Sequence, residues 1–342
     1  METWYLGGNC INSEGLHDIV SGLVKSIASN LWLKRNPLTV DAVEDIAWLI
    51  CKSQTLQTLN LDQTGLTDTG VAPLFNLLIA SDEQQHALKH LYLNANGVGV
   101  KGVTSIVGYL SSPFCSMKSL YLSNNPLEDA GVLILAESIR SYSGLQRLML
   151  ASIGMTAEGA SKLLRCLAGH ESLIALDIGQ SFATEDPGTK YNWITDDAVP
   201  SIREYMQSTT SIQYLDFGLT AISLARINNI LCTTAEHSSL CWFGLDTIES
   251  GWKKSDRLLT EKLRQSVDAI LARNVAERYN GIGCKELELG HKRALTGPEE
   301  YVRKIDSVYR NCDSTLARRG VKILNRWWDE DDTTLRTVME WH

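Results

Sequence analysis

A pattern that returns about every 28 residues is the feature that most constrains this chain. It is clearest in residues 117–139, MKSLYLSNNPLEDAGVLILAESI. Met117, Leu120 and Leu122, then Asn125, then Leu127 give L-x-x-L-x-L-x-x-N-x-L. Leu120 and Leu122 alternate with Tyr121 and Ser123, so the first half reads as a short strand with one apolar face. Asn125 stands where the chain leaves the strand, and its amide is suited to satisfying peptide groups that have no ladder partner there. Gly131 eases entry into a helix. Val132, Leu135, Ala136 and Ile139 follow at i, i+3, i+4 and i+7, one apolar stripe. A single unit cannot bury both faces, so its neighbours must cover them.

Aligned on the leucine before the alternating pair, the units fall at Trp4, Leu31, Leu59, Leu91, Leu120, Leu148, Leu176, Leu215 and Phe243. The spacings are 27, 28, 32, 29, 28, 28, 39 and 28, long enough for a full helix per unit. Gly15, Gly70, Gly102, Gly131 and Gly159 share one phase, with Ala42 replacing glycine once. Pro73 falls early in its helix, where a missing N–H costs little.

These motifs resemble the leucine-rich repeats of the ribonuclease inhibitor type, a class that includes the Ran GTPase-activating proteins and the repeat domains of NOD-like receptors. The resemblance covers residues 1–274. It implies an α/β fold, a curved leucine-rich repeat solenoid or horseshoe, with parallel concave strands, convex helices and protein ligands on the concave face. Asn9, Asn36, Asn96 and Asn125 keep the repeat asparagine, whereas Thr64, Ile153, Ser181, Thr220 and Asp246 stand in its place.

Two insertions break the period. Residues 81–86 lengthen one helix-to-strand connection. Residues 179–197 form the larger one, with the turn signal Pro187-Gly188 and the aromatics Phe182, Tyr191 and Trp193. This loop reads as removable from Phe182 to Trp193, and Tyr191 and Trp193 as able to close over a ligand. Thr195 reads as the N-cap of the next helix. After Phe243 the pattern fades. Residues 255–274 read as a last helix. Residues 275–342 read as a helical C-terminal cap, with a short strand at 287–289 and helices near 296–309, 314–328 and 335–341. The expected organisation is a solenoid of about nine repeats, 1–274, and a cap, 275–342, that shields the last repeat.

Composition narrows the function. The formal charge of −8 argues against nucleic acid and anionic membrane partners, and no apolar run reaches the roughly 18 residues of a spanning helix. There is no secretory signal pattern. Eight scattered cysteines without a C-x-x-C pair read as reduced thiols of a cytoplasmic protein. No phosphate loop, dinucleotide fingerprint or nucleophile elbow is present. No cofactor or metal is expected. His86 and His90 are four apart, but His90 enters a strand, which disfavours a shared metal. Arg147, Arg203 and Arg226 are each compatible with an arginine finger, and nothing distinguishes one of them. Acids such as those at 329–332 offset the basic residues of the cap, Arg310 to Arg326.

The concave row carries the functional reading. Down the repeats it runs Tyr5, Trp32, Asn60, Tyr92, Tyr121, Met149, Asp177, Asp216, Gly244. Tyr and Trp are enriched at interface hot spots. The next row, Gly7, Lys34, Asp62, Asn94, Ser123, Ala151, Gly179, Gly218 and Asp246, is mostly small or polar and leaves the rings accessible. The rings also read as a self-stacked ladder with no partner. The expected function is a non-enzymatic protein-binding scaffold. Its partner-binding residues are Tyr5, Trp32, Asn60, Tyr92, Tyr121, Arg147, Asp177 and Asp216, with Tyr191 and Trp193 on the loop. A GTPase-activating accessory and the sensor repeats of a larger receptor stay open as alternatives. The oligomeric state also stays open, with a monomer the simpler expectation.

Overall fold

The computed structural model describes residues 3–81, 85–180, 191–250 and 253–278. All lie in the first of two units, Met1–Cys284. Phe182 and the strand, helices and basic patch expected beyond Arg278 lie outside the described residues.

Among the described residues are nine strands. They are β1 (Thr3–Tyr5), β2 (Asn30–Trp32), β3 (Thr58–Asn60), β4 (His90–Tyr92), β5 (Ser119–Tyr121), β6 (Arg147–Met149), β7 (Ala175–Asp177), β8 (Tyr214–Thr220) and β9 (Trp242–Thr247). They pair in chain order as one parallel sheet. A helix follows each: α1 (Ser13–Lys25), α2 (Val43–Lys52), α3 (Thr67–Ile79), α4 (Val100–Leu110), α5 (Glu128–Ile139), α6 (Ala157–Leu167), α7 (Val199–Ser208), α8 (Leu224–Thr234) and α9 (Lys254–Arg278). Leu31, Leu59, Leu91, Leu120, Leu148, Leu176 and Leu215 stand side by side in register and are buried. Together with the helix stripes they form one continuous core. Strands pack about 4.8 Å apart and helices about 8–10 Å apart, so this unit is a curved α/β solenoid with its strands on the inner side.

The asparagines stitch successive turns. Asn125 Oδ1 accepts from the N–H groups of Asn96 (2.9 Å) and Val98 (3.0 Å), while its Nδ2 donates to the carbonyls of Leu93 and Leu122. Asn36 and Asn96 likewise accept from two N–H groups of the turn before them and donate to one of its carbonyls. The residue before this position is left-handed in Arg35, Gln63, Ala95, Asn124 and Ser152, at φ between 52° and 60°. Non-glycine residues hold that conformation only where the surroundings over-determine it, and at Arg35, Ala95 and Asn124 the amide bonds of the next side chain do so.

Two asparagine assignments change. In the seventh repeat the position expected at Ser181 is filled by Asn192. Its Oδ1 accepts from Ile153 N (3.0 Å) and Met155 N (3.1 Å), and its Nδ2 donates to the carbonyls of Leu150 and Ile178. The insertion therefore lies ahead of the asparagine, and counting residues from the strand misplaces it. In the ninth repeat Thr247, not Asp246, stands in register with Thr220, because β8 and β9 shift between Asp216 and Leu219.

The helix-entry glycines do more than ease the turn. Their φ values are not left-handed; the left-handed residues near the helix starts are Thr39, Thr67 and Glu128. A Cβ on Gly159 would lie 2.1 Å from Asp129 Oδ1, and one on Gly102 would lie 2.7 Å from Asp68 Oδ1. These carboxylates reach across from the preceding helix to accept from Gly99 N, Gly102 N and Thr156 N. Glycine thus makes room for the acid that caps the next helix. Pro73 is the seventh of thirteen residues in α3 rather than an early one. Thr195 precedes a short 3₁₀ turn, Asp196–Ala198, and makes no side-chain cap.

Helix α9 packs against α8. In earlier repeats a serine or threonine hydroxyl donates to carbonyls at the preceding helix-to-strand turn, as Ser211 does to His170 and Leu173 and Ser239 does to Ile212. At the last turn Asn274 of α9 takes that role, donating to His237 O (3.0 Å) and Leu240 O (2.8 Å). Arg264 donates to Leu245 O, on edge strand β9.

Candidate functional site

Four of the predicted rings form one stack on the concave face. Tyr5 and Trp32 lie 5.8 Å apart at 20°, Trp32 and Tyr92 5.5 Å apart at 43°, and Tyr92 and Tyr121 3.8 Å apart at 3°. Asn60 sits in register between Trp32 and Tyr92, and its short side chain lets those rings meet across β3. Lys34 extends its Nζ over Tyr5 (5.5 Å) and Trp32 (6.0 Å), where the ring faces attract a cation. Tyr5 is 42% exposed, whereas Trp32, Asn60 and Tyr121 are nearly fully buried. Offset or parallel rings at such distances add about 0.5–1.5 kcal/mol per pair beyond burial, so the row is rigid before any partner arrives.

The polar row beside the rings is structural. Asp62 Oδ1 accepts from Asn94 N (2.7 Å), Asn94 Oδ1 from Ser123 N (2.8 Å) and Ser123 Oγ from Ala151 N (3.1 Å). Each side chain thus serves the next repeat. Burial pushes the Asp62 carboxyl up to about 6, against the opposing pull of the Asn94 and Asn60 hydrogen bonds and of Lys34.

The remaining predicted residues divide. Asp177 and Asp216 stand in register on β7 and β8. Each accepts from the N–H two residues on, Gly179 (2.9 Å) and Gly218 (2.8 Å), and Asp216 also accepts from Tyr214 OH (2.9 Å). Burial, followed by the nearby Asp216 and Asp177, raises the Tyr214 hydroxyl well above its ordinary value, so it stays a donor. Arg147 is almost entirely buried on β6, near His90. Burial, reinforced by the charge of Arg147, lowers His90 to about 3, and its Nδ1 meets Ser119 Oγ at 2.9 Å. His86 instead meets Tyr109 OH at 2.9 Å. Tyr191 and Trp193 lie at the sheet rim, exposed on either side of Asn192. In the sequence Lys34 stood out only as a member of the polar row, and Asn192 did not stand out at all. The cation–ring distance has no sequence signature, and the asparagine lay behind an insertion.

Among the described residues no group of three or more His, Cys, Asp or Glu side chains is placed to hold a metal ion, and no helix is long and apolar enough to cross a membrane. Six cysteines among them are free thiols.

A leucine-rich repeat family model matches residues 52–75 and 115–136. Human NACHT, LRR and PYD domains-containing protein 5 is 32% identical over 188 residues, 54% of this chain and 15% of that protein. Mouse ribonuclease inhibitor is 30% identical over 161 residues, 46% of this chain and 34% of that protein. The chain therefore spans well under half the length of these relatives. Among solved structures it is similar to the tropomodulin C-terminal domain of Caenorhabditis elegans, at 16% identity and a TM-score of 0.41, over 53% of this chain and 99% of that one.

Proposed function

We propose, for a chain that belongs to the leucine-rich repeat proteins of ribonuclease inhibitor type, that it is a non-enzymatic scaffold which binds a protein ligand on its concave face. The observation that carries this reading is the ring stack from Tyr5 to Tyr121 with Lys34 over its open end. A stack already ordered by its neighbours loses little side-chain freedom when a partner docks, which favours affinity. Tyr5 and Tyr92 offer the contact area, Trp32, Asn60 and Tyr121 support them, and Arg147 holds the floor. Asp177 and Asp216 orient basic groups of the ligand, acting more on approach and register than on affinity. The free thiols fit a cytoplasmic setting.

Chemical cross-linking of the full chain in native lysate, beside a Tyr5→Ser, Tyr92→Ser double variant, tests the reading. The expected result is a discrete partner held by wild type and lost by the variant, with unchanged far-ultraviolet dichroism. Equal recovery by both would refute it. A second reading is favoured by the match to a short part of a NACHT-containing relative: the scaffold is the repeat portion of a longer receptor. Sequencing the full transcript decides it.

A further inference from the structure

The rim of the last three repeats departs from the rest of the solenoid at two positions, one before and one after the ladder asparagine. In the second to sixth repeats these hold a polar or small side chain and then a glycine or proline, as in Arg35 and Pro37, Ala95 and Gly97, or Asn124 and Pro126. In the seventh repeat they hold Tyr191 and Trp193, in the eighth Leu219, and in the ninth Ile248. These side chains are 67%, 55%, 47% and 50% exposed. They belong to consecutive, bonded turns: Trp193 N donates to Met155 O (2.7 Å), Ala221 N to Ile194 O (2.8 Å) and Ile248 N to Thr220 O (2.9 Å). The Gln180 amide donates to both Asn192 O and Leu219 O, which holds the backbones beside Tyr191 and Leu219 together. Neighbouring turns lie about 5 Å apart, which brings the four positions onto one stretch of the rim.

Acids border this patch on both sides. Asp196 and Asp197 are exposed just beyond Trp193, and Asp177 and Asp216 lie toward the concave floor. Between floor and rim, Gly179 and Gly218 carry no side chain, and a Cβ on Gly179 would come within 2.8 Å of Gly218 N.

We propose that this rim is a docking site for a protein segment that presents large apolar side chains next to a lysine or arginine. The apolar residues would cover Trp193, Leu219 and Ile248, and the basic residue would meet the bordering carboxylates. A second copy of this chain fits less well, because a two-fold contact sets the patch against itself and brings its acids together. The proposal rests on the scaffold reading in taking the partner to be a protein, and it uses a different apolar surface that shares only the carboxylates of Asp177 and Asp216 with the concave face.

The test is a displayed library of random dodecapeptides, selected on the full chain, with the recovered peptides measured by titration. The expected peptides pair Trp, Phe or Leu with Lys or Arg. They lose about tenfold or more in affinity for Trp193→Ser and for Leu219→Ser, and less for Asp197→Asn. Both serine sites are half-exposed, so melting should be unchanged. Peptides without a basic residue, or peptides that bind both serine variants like wild type, would overturn the proposal. If binding is lost only with Tyr5→Ser, the concave reading stands and this one falls. If sedimentation shows a dimer that Leu219→Ser abolishes, the occupant is a second copy and the proposal is wrong.

Discussion

Each ladder asparagine uses one amide to close two backbones, so its loss leaves several buried peptide groups without partners. At about 1–3 kcal/mol for each, Asn125→Ala should cost at least about 3 kcal/mol and lower Tm by roughly 6–12 °C. Asn192→Ala should cost a comparable amount, because its bonds match those of Asn125 one for one in kind. A variant that melts like wild type would remove Asn192 from the ladder. The glycines make a parallel case. Gly159→Ala should destabilise by about 1–3 kcal/mol through its clash with Asp129, and less in an Asp129→Ala background. Equal penalties in both backgrounds, measured by denaturant titration, would show that the two residues do not communicate.

The strands and helices titrate as well as pack. His90 on β4 has its basicity lowered to about 3 by burial, and burial also lowers His237 after α8. Unfolded histidine takes a proton near pH 6.5. Between about pH 6.5 and 3, then, the unfolded chain holds more protons at position 90, and stability falls as pH falls, by at most about 1.4 kcal/mol per unit from this one group. Asp62 works the other way. Its folded value of about 6 lies above its unfolded one, so acidification through that range relieves a cost. The His90→Gln variant should therefore lose less stability than wild type between pH 6.5 and 4. Steeper acid loss in the variant would contradict the assignment. Helix α9 matters for the last turn: ending the chain at Lys253 would uncover the α8 face against which Val267 is buried and strip His237 O and Leu240 O of Asn274. Light scattering should then show aggregation.

Much of this was legible in the sequence because strand and helix periods stay locked together over the whole solenoid. The leucines of the alignment are the leucines in register, from Leu31 to Leu215. Leu122→Asp, which buries an unpaired charge in this layer, should yield no folded monomer, as dichroism would show. The site was legible only as residue types. The ring row was visible, but the bridge from Trp32 to Tyr92 over Asn60 depends on reach across a strand. The rim patch of Leu219 and Ile248 was hidden because it differs from the other repeats by phase, not by motif. The expectation that residues 182–193 can be cut away fails at its end: such a cut removes Asn192 and the bond from Trp193 N to Met155 O. A cut that ends before Tyr191 keeps Asn192 and that bond.

Gln180 makes that difference useful. Its Oε1 accepts from Asn192 N (3.1 Å) and its Nε2 donates to Asn192 O, so one side chain clasps both ends of whatever runs between them. The clasp and the bonds of Asn192 tie the downstream repeat to the one before it. Closing a longer loop costs only about 0.6 kcal/mol per doubling. This point in the solenoid is thus a natural splice site. A reporter tag or a binding loop grafted between Gln180 and Tyr191 would keep both ends of the clasp and the bonds of Asn192, and would be displayed beside the rim.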